Sequence, residues 1–544
     1  MDCSFPAVFD TIAGVVPDNE AIIFRDRRYT FRQYTERSRR LANYLAQRGY
    51  GCSRERSELA GHESGQDHLA LYLYNCNEYL EGMLGAFYAR VAPFNVNYRY
   101  VEEELLYLFK NSRARVVVYH GEFAPRLESI LHELPDLELC IHVEDGSGNS
   151  MVPGAVDYDD VIASTAPRPP SDPPSPDDLY ILYTGGTTGM PKGVLWRSAD
   201  IYMGAMGGRK LDGIELASLE EVADYARGGG GAKAVIGPPL MHGAAQWATF
   251  INFGMGNGVV LPGQNKKLDP DDFLSTIERE KAMSCTIVGD AFARPILDQL
   301  EKRSYDLSNL FVIGSGGAPL SAKHKEEFLE KIPNVTVLDT IGSSESGAQA
   351  SNPSNKDSGV TTGDFKPGAG ACVVSEELGR LLQPGDEEMG WFAQTGRCPL
   401  GYLGDAEKTA RTFPTIDGTR YAVPGDRARY RADGSIEVLG RDSVTINSGG
   451  EKIFAEEVEG ALKQHRDVFD VVVAGRASDR WGQEVVAIVQ LREGAGATED
   501  ELIAEAAKHI ARYKLPKAVV FRDHIQRSPS GKADYRWAKE QAGG

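Results

Sequence analysis

Short apolar runs alternate with helix-patterned stretches from residue 69 onward, and a chain with that rhythm buries both kinds of segment as helices packed on a largely parallel sheet. Leu69 to Tyr74 reads as a strand, Tyr79 to Tyr88 as a helix and Ala92 to Asn97 as the entry of a second strand. A further helix is expected from Val101 to Phe109, and another strand from Arg115 to Tyr119. Upstream, Thr30 and Gln33 have capping-box spacing, Tyr34, Leu41 and Leu45 share a helical face, and Gly49 is a stop signal.

The last hundred residues change character. Asp470 to Ala474 and Glu484 to Leu491 are strand-like, and Thr498 with Glu501 caps a helix that sets Leu502, Ile503, Ala506 and Ile510 on one face. At 544 residues the chain is too long for one ordinary core. The expected architecture is α/β: a large N-terminal domain, residues 1–439, of mixed and parallel sheets flanked by helices, and a small mobile α+β C-terminal domain, residues 440–544. Residues 166–178, almost all proline, serine and acid, read as an extended surface connector. Residues 207–233, with four glycines at 228–231, read as a mobile insertion.

Within that frame the stretch Tyr183 to Gly193 stands out. Four glycines let backbone N–H groups approach an anion, three threonines add hydroxyl donors and Lys192 adds a cation. This is a phosphate cradle suited to a nucleoside triphosphate. It is no Walker A loop, because Lys192 lies between Pro191 and Gly193 where that motif needs Gly-Lys-Ser/Thr.

The formal charge of −19 opposes nonspecific attraction to nucleic acid or anionic lipid, so a polyanionic ligand has to be held by local donors. Seven scattered cysteines without a CxxC pair read as reduced structural thiols. No secretory signal and no eighteen-residue apolar span is visible, and a cytoplasmic enzyme is expected.

Further motifs follow in order. Ile313 to Leu320 is a strand ending in glycines, against which a flat ring can lie. Asp339 to Glu345 sets two hydroxyls beside a carboxylate, and a carboxylate can approach phosphate oxygens only across a cation, which makes Glu345 a candidate Mg2+ ligand. Asp426, in Tyr421 to Asp426, is an acid in a turn, suited to two ribose hydroxyls. Arg441 lies near the domain junction, and Lys532 occupies a glycine turn near the C-terminus.

Taken together, the loop at 183–193, Gly316 to Pro319, Gly342 to Glu345, Gly425-Asp426, Gly440-Arg441, Ser448 to Glu451 and Ser530 to Lys532 resemble the ordered motifs of adenylate-forming acyl-CoA synthetases. Asn95 to Tyr100, Tyr183 to Thr187 and Ser443 to Glu451 look closest to actinobacterial fatty-acyl and sterol-side-chain CoA ligases. The resemblance implies a two-step reaction. A carboxylate displaces pyrophosphate from ATP to give an acyl-adenylate, and the thiol of coenzyme A then takes the acyl group.

By position, the resemblance assigns the nucleotide to Thr184, Gly185, Gly186, Thr187, Thr188 and Lys192, to Gly316, Gly317, Ala318 and Pro319, and to Asp339, Thr340, Ile341, Gly342, Ser343 and Ser344. It assigns Mg2+ to Glu345 with Thr184, the ribose to Asp426 with Arg441, and the pantetheine channel to Gly449, Gly450 and Glu451. Lys532 bridges the carboxylate and the α-phosphate in the first step, and His242 matches a position at the acyl-pocket floor. The C-terminal domain is expected to turn between steps, with Ser443 at the family's pivot position and Asp442 one place early. Ile341 stands where the family often has an aromatic residue for adenine. The implied partners are a small carboxylic acid, ATP and CoA, with no nucleic acid and no membrane-spanning segment, and a homodimer is left open. Two other readings stand beside this one: an acyl-AMP ligase serving a carrier protein, and a nonenzymatic ATP-binding regulator.

Overall fold

The computed structural model describes every residue except 185–189, 333, 361–363, 449–450, 479, 529–530 and 544. Its first sheet runs, edge to edge, through Gly401–Tyr402, Lys192–Arg197, Leu179–Thr184, Ala92–Asn95, His68–Tyr72, Val116–His120, Leu139–Val143 and Val156–Asp157. The neighbours from Leu179–Thr184 onward pair in parallel, as the strand–helix alternation requires. Leu179–Thr184 and Lys192–Arg197 instead pair antiparallel, with Thr184 opposite Lys192, because the segment between them is too short for a crossover.

A second, larger sheet begins as a parallel block of Glu20–Phe24, Gly258–Leu261, Lys233–Ile236, Ser284–Ile287, Val312–Gly316 and Thr336–Ser343. It continues antiparallel through Gly347–Ser354 and Asp364–Pro367 to Ile436–Arg441 and Asp426–Tyr430. The helices Phe31–Ala46 and Asn77–Tyr88 lie between the two sheets, in one core with Leu69, Leu71 and Val116 on one side and Ile22, Ala234 and Val259 on the other. Sandwiching on both faces buries every residue of Asn77–Tyr88, including Glu78 and Glu81, which pair with Arg27 and Arg37. The anticipated capping box closes the start of Phe31–Ala46: Gln33 N donates to Thr30 Oγ1 at 3.3 Å, and Thr30 N to Gln33 Oε1 at 2.9 Å.

The C-terminal body has its own sheet of Ile446–Ser448, Glu451–Ile453, Val468–Ser478, Gly482–Leu491 and Ala518–Phe521, packed by Ala455–Leu462, Glu499–Ala506 and Tyr535–Gly543. Together these elements form the expected large α/β body with a smaller α+β body after it.

Two expectations need correction. Gly440 and Arg441 end the strand Ile436–Arg441 and pair with Arg427 and Asp426, so the large sheet claims two residues beyond 439. Residues 207–233 are not a loose insertion. Their helix Leu219–Gly228 packs on the first helix, Phe5–Val15, with Leu216, Val222 and Ala226 fully buried, while Leu211 and Ile214 at the tip are exposed. Phe250 belongs to the core, edge-on to Phe5, Phe9 and Phe253.

Candidate active site

The phosphate loop springs from one strand and returns on its antiparallel partner, so Thr184 and Lys192 face each other at its base. Gly185, Gly186, Thr187 and Thr188 lie outside the described residues. The Lys192 ammonium lies 5.8 Å from the ring centre of Tyr402, and that of Lys408 lies 5.5 Å from the same ring. Burial, then the neighbouring Lys408, lowers the Lys192 ammonium to about 8. A bound polyanion would favour the charged form of Lys192 at this site.

Tyr402 links this base to the proposed cation ligand, because its hydroxyl donates to Glu345 Oε1 at 2.8 Å. Burial and the Glu345 charge together push the phenol well above its ordinary range. Glu345 is only 9% exposed, at the turn between the antiparallel strands Thr336–Ser343 and Gly347–Ser354. The turn is held by Ser343 Oγ, which accepts from Glu345 N at 3.3 Å and lies 2.8 Å from Ser346 Oγ. Gly342 is required there: a Cβ would stand 2.2 Å from Gly347 O. Ser344 uses its carbonyl to accept from Trp196 Nε1 at 2.9 Å, which leaves its hydroxyl free of that anchoring task.

Asp426 and Arg441 are cross-strand partners, with Arg441 Nε 3.0 Å from Asp426 Oδ1. Burial works against the guanidinium charge, but Asp426, Glu345 and Glu456 outweigh it and raise the Arg441 pKa. Gly316 ends the strand Val312–Gly316 beside Thr340 of the neighbouring strand, and Gly317 follows at φ +86°, turning the chain into Ala318 and Pro319. Ile341 is half-buried against Ala350 and Phe365, an apolar flank without a ring. Asp339 differs from its neighbours: its carboxylate is 2.9 Å from Lys325 Nζ, both are buried, and the side chain is committed to that pair rather than to the cleft.

Lys532 brings the C-terminal body to this cleft. Its loop is closed by Ser528 N donating to Lys532 O at 2.9 Å and Lys532 N donating to Ser528 Oγ at 3.1 Å. Arg527, paired with Asp470 at 2.6 Å, also donates to Gly531 O at 3.0 Å. Lys532 is exposed to solvent, with Arg441, Glu345 and Asp426 near enough to act on its charge. Desolvation and Arg441 lower its pKa, against the pull of Glu345 and Asp426. Lys532 also lies near His242, which precedes the helix Gly243–Gly254 and whose Nε2 has no hydrogen-bond partner among the described residues. Burial, with Lys532 and Arg99 nearby, pushes the imidazole down to about 3, so it is neutral.

Pairwise links connect these residues: Thr184 faces Lys192, Lys192 and Glu345 meet at Tyr402, Asp426 pairs with Arg441, and Lys532 lies near Glu345, Asp426, Arg441 and His242. Glu451 is exposed on the hairpin of Ile446–Ser448 with Glu451–Ile453, and Gly449 and Gly450 lie outside the described residues. Sequence reasoning missed Tyr402, Lys408 and Glu456. Tyr402 stands between Gly401 and Gly404 and Glu456 in the acidic run Glu456 to Glu459, signals in the sequence that could have pointed to them.

The matching family models are AMP-binding enzyme, over residues 9–391, and AMP-binding enzyme C-terminal domain, over residues 457–532. The chain belongs to this family of adenylate-forming enzymes. It is 57% identical over 538 residues, 99% of this chain and 98% of the relative, to the medium-chain acyl-CoA ligase Mig of Mycobacterium avium. It is 40% identical over 542 residues, 97% of this chain and 94% of the relative, to a 3-oxocholest-4-en-26-oate–CoA ligase of Rhodococcus rhodochrous. Among solved structures, ATP-bound MatB from Rhodopseudomonas palustris superposes with a TM-score of 0.80 at 22% identity, covering 98% of each chain, which shows the shared fold.

Proposed function

We propose that the chain activates a medium-chain fatty acid or a sterol side-chain carboxylate as its adenylate and passes the acyl group to coenzyme A. It is an AMP-forming acid–thiol ligase. The observation that carries the reading is the meeting of the exposed Lys532, from the C-terminal body, with Arg441, Glu345 and Asp426 of the N-terminal body. The two named relatives, a medium-chain and a sterol-side-chain ligase, supply the substrate class.

The first step gathers negative charge on a carboxylate, an α-phosphate and a departing pyrophosphate. Fixed cations that need no reorganisation stabilise such charge best. Lys192 and Lys408 are placed for the pyrophosphate end, Lys532 for the carboxylate and α-phosphate, and Asp426 with Arg441 for the ribose. His242, neutral and unpartnered at Nε2, offers a donor or acceptor at the acid without adding charge. Mg2+ bound at Glu345 would screen the phosphates. Among the described residues no three His, Cys, Asp or Glu converge, and one carboxylate suits a cation whose other oxygens come from the nucleotide.

The second step needs the Lys532 loop withdrawn so that a thiol can enter, and exposed Glu451 with Gly449 and Gly450 would then come to the cleft. Asp442 stays with the N-terminal body in that movement. The buried Arg427, stacked 3.6 Å over Trp391, donates from Nε to Asp442 Oδ1 at 2.9 Å, which leaves Ser443 as the pivot. Among the described residues no helix is long and apolar enough to cross a membrane, and we place the enzyme in the cytoplasm.

The test is pyrophosphate release over a panel of fatty, aromatic and steroidal acids, with and without coenzyme A. Acid-dependent release followed by acyl-CoA formation is expected. Release without transfer to free coenzyme A would assign the chain to acyl-AMP ligases, and ATP binding without release would make it a regulator.

A further inference from the structure

One buried charge cluster lies outside the reacting cleft and crosses between the two bodies. Asp290 starts the helix Gly289–Lys302 of the N-terminal body, and its two carboxylate oxygens face different partners. Oδ2 lies 3.1 Å from Nζ of Lys463, which follows the C-terminal body's helix Ala455–Leu462. Oδ1 accepts from Ser321 N at 2.9 Å and lies 2.7 Å from Nδ1 of His324, which is itself 3.0 Å from Ser321 Oγ. The Lys463, Asp290 and His324 side chains are only 11%, 10% and 3% exposed.

The same helix start touches both parts that must cooperate in the first step. Asp290 N donates to Pro319 O at 3.0 Å, and Gly289 N to Ser315 Oγ at 3.1 Å, so the glycine loop assigned to adenine rests on it. Gly289 packs so tightly there that a Cβ would stand 2.4 Å from Pro319 O. On the other side Gly531, next to Lys532, comes so close that its Cβ would lie 2.9 Å from Ala291 Cβ. Arg294 of the same helix donates to Val468 O of the C-terminal body at 3.1 Å.

We propose that Asp290 is a positioning residue that couples the seating of the C-terminal body to the shape of the nucleotide loop, with Lys463 as its latch. Oδ1 holds the turn after Pro319 at all times, and Oδ2 holds Lys463 only while Lys532 is in the cleft. When the body turns for thiol transfer, Lys463 leaves and Asp290 keeps His324 and the Ser321 amide. A buried carboxylate loses much on losing a cation partner, so the latch favours the first orientation, and by reciprocity a bound nucleotide favours the latch.

The inference rests on the two-step ligase reading and is tested with the full chain as Lys463→Met, Lys463→Arg, Asp290→Asn and the Met/Asn double variant. Adenylation is read as single-turnover pyrophosphate release, and thiol transfer as acyl-CoA formation from synthetic acyl-adenylate. Lys463→Met and Asp290→Asn are expected to slow adenylation about tenfold and leave transfer within about twofold. The double variant should be no slower than the worse single one, and Lys463→Arg should recover most of the rate. A second reading needs no turnover: ATP should protect the Arg441–Asp442 peptide bond from trypsin in the wild type and not in Lys463→Met. Equal losses in both half-reactions, or unchanged adenylation with unchanged protection, would overturn the proposal. If Asp290→Asn does not fold, Lys463→Met decides alone. A wild type that releases no pyrophosphate would refute the ligase reading, while the trypsin arm still decides the latch.

Discussion

Replacing Glu456 by Gln should flatten the pH dependence of adenylation. Glu456 lies on the helix Ala455–Leu462 of the C-terminal body and presses on the end of the large sheet. A Cβ on Gly440 would stand 1.8 Å from its Oε2, and that oxygen has no hydrogen-bond partner among the described residues. Burial first, then Glu459 and Asp426, push the carboxyl from an ordinary 4.5 up to about 8, against the pull of Arg441. In the turned orientation the side chain leaves this contact and ionises at its ordinary value. The seated orientation therefore holds one more proton between these limits, so it is fully favoured below about 4.5 and weakens as pH rises through about 8. At about 1.4 kcal/mol per pH unit, the span amounts to at most about 5 kcal/mol, with no further loss above it.

Gln keeps the shape of the protonated acid and cannot ionise. The ratio of Glu456→Gln to wild-type adenylation rates should rise steadily from pH 6 to 8 and reach about tenfold or more before levelling. Lys192 titrates in the same region, but it does so in both proteins and cancels in the ratio. Single-turnover pyrophosphate release across pH measures it. Superimposable profiles would refute the reasoning, since they would mean that the carboxyl carries no different proton in the two orientations.

Lys532→Ala should abolish acyl-adenylate formation and spare acyl-CoA formation from synthetic acyl-adenylate; comparable losses in the two half-reactions would remove it from the first step. Tyr402→Phe deletes a hydrogen bond to a carboxylate at 2.8 Å, worth about 1.5–3 kcal/mol, and should raise the KM for MgATP roughly tenfold in steady-state assays. Gly440→Ala meets both a φ of +124° and the Glu456 oxygen, so adenylation should fall further than thiol transfer, and the thermal midpoint should drop by several degrees in a melting experiment.

The elements that chemistry fixes locally could be read from the chain. The strand leading into Thr184, the Thr30–Gln33 box and the Thr498–Glu501 box depend on neighbours within a few residues, and each forms as expected. The helix Asn77–Tyr88 was legible as a helix but not as one enclosed between two sheets, because its buried Glu78 and Glu81 look like surface residues until Arg27 and Arg37 arrive from distant segments. The Asp339 side chain's pairing was hidden for the same reason: nothing near it in sequence announces Lys325 as its partner.

The ordered glycine, threonine and acid motifs set the family and named Glu345, Asp426, Arg441 and Lys532, because backbone approach to a nucleotide restricts which residues can stand at a turn. Tertiary structure alone decided that Tyr402 and Lys408 join Lys192, that Glu456 presses on Gly440, and that Asp290 receives Lys463 from the other body. Turn chemistry acts over a few bonds and leaves its mark in adjacent letters. Charge pairing and desolvation act through space, between segments whose separation along the chain carries no record of their contact.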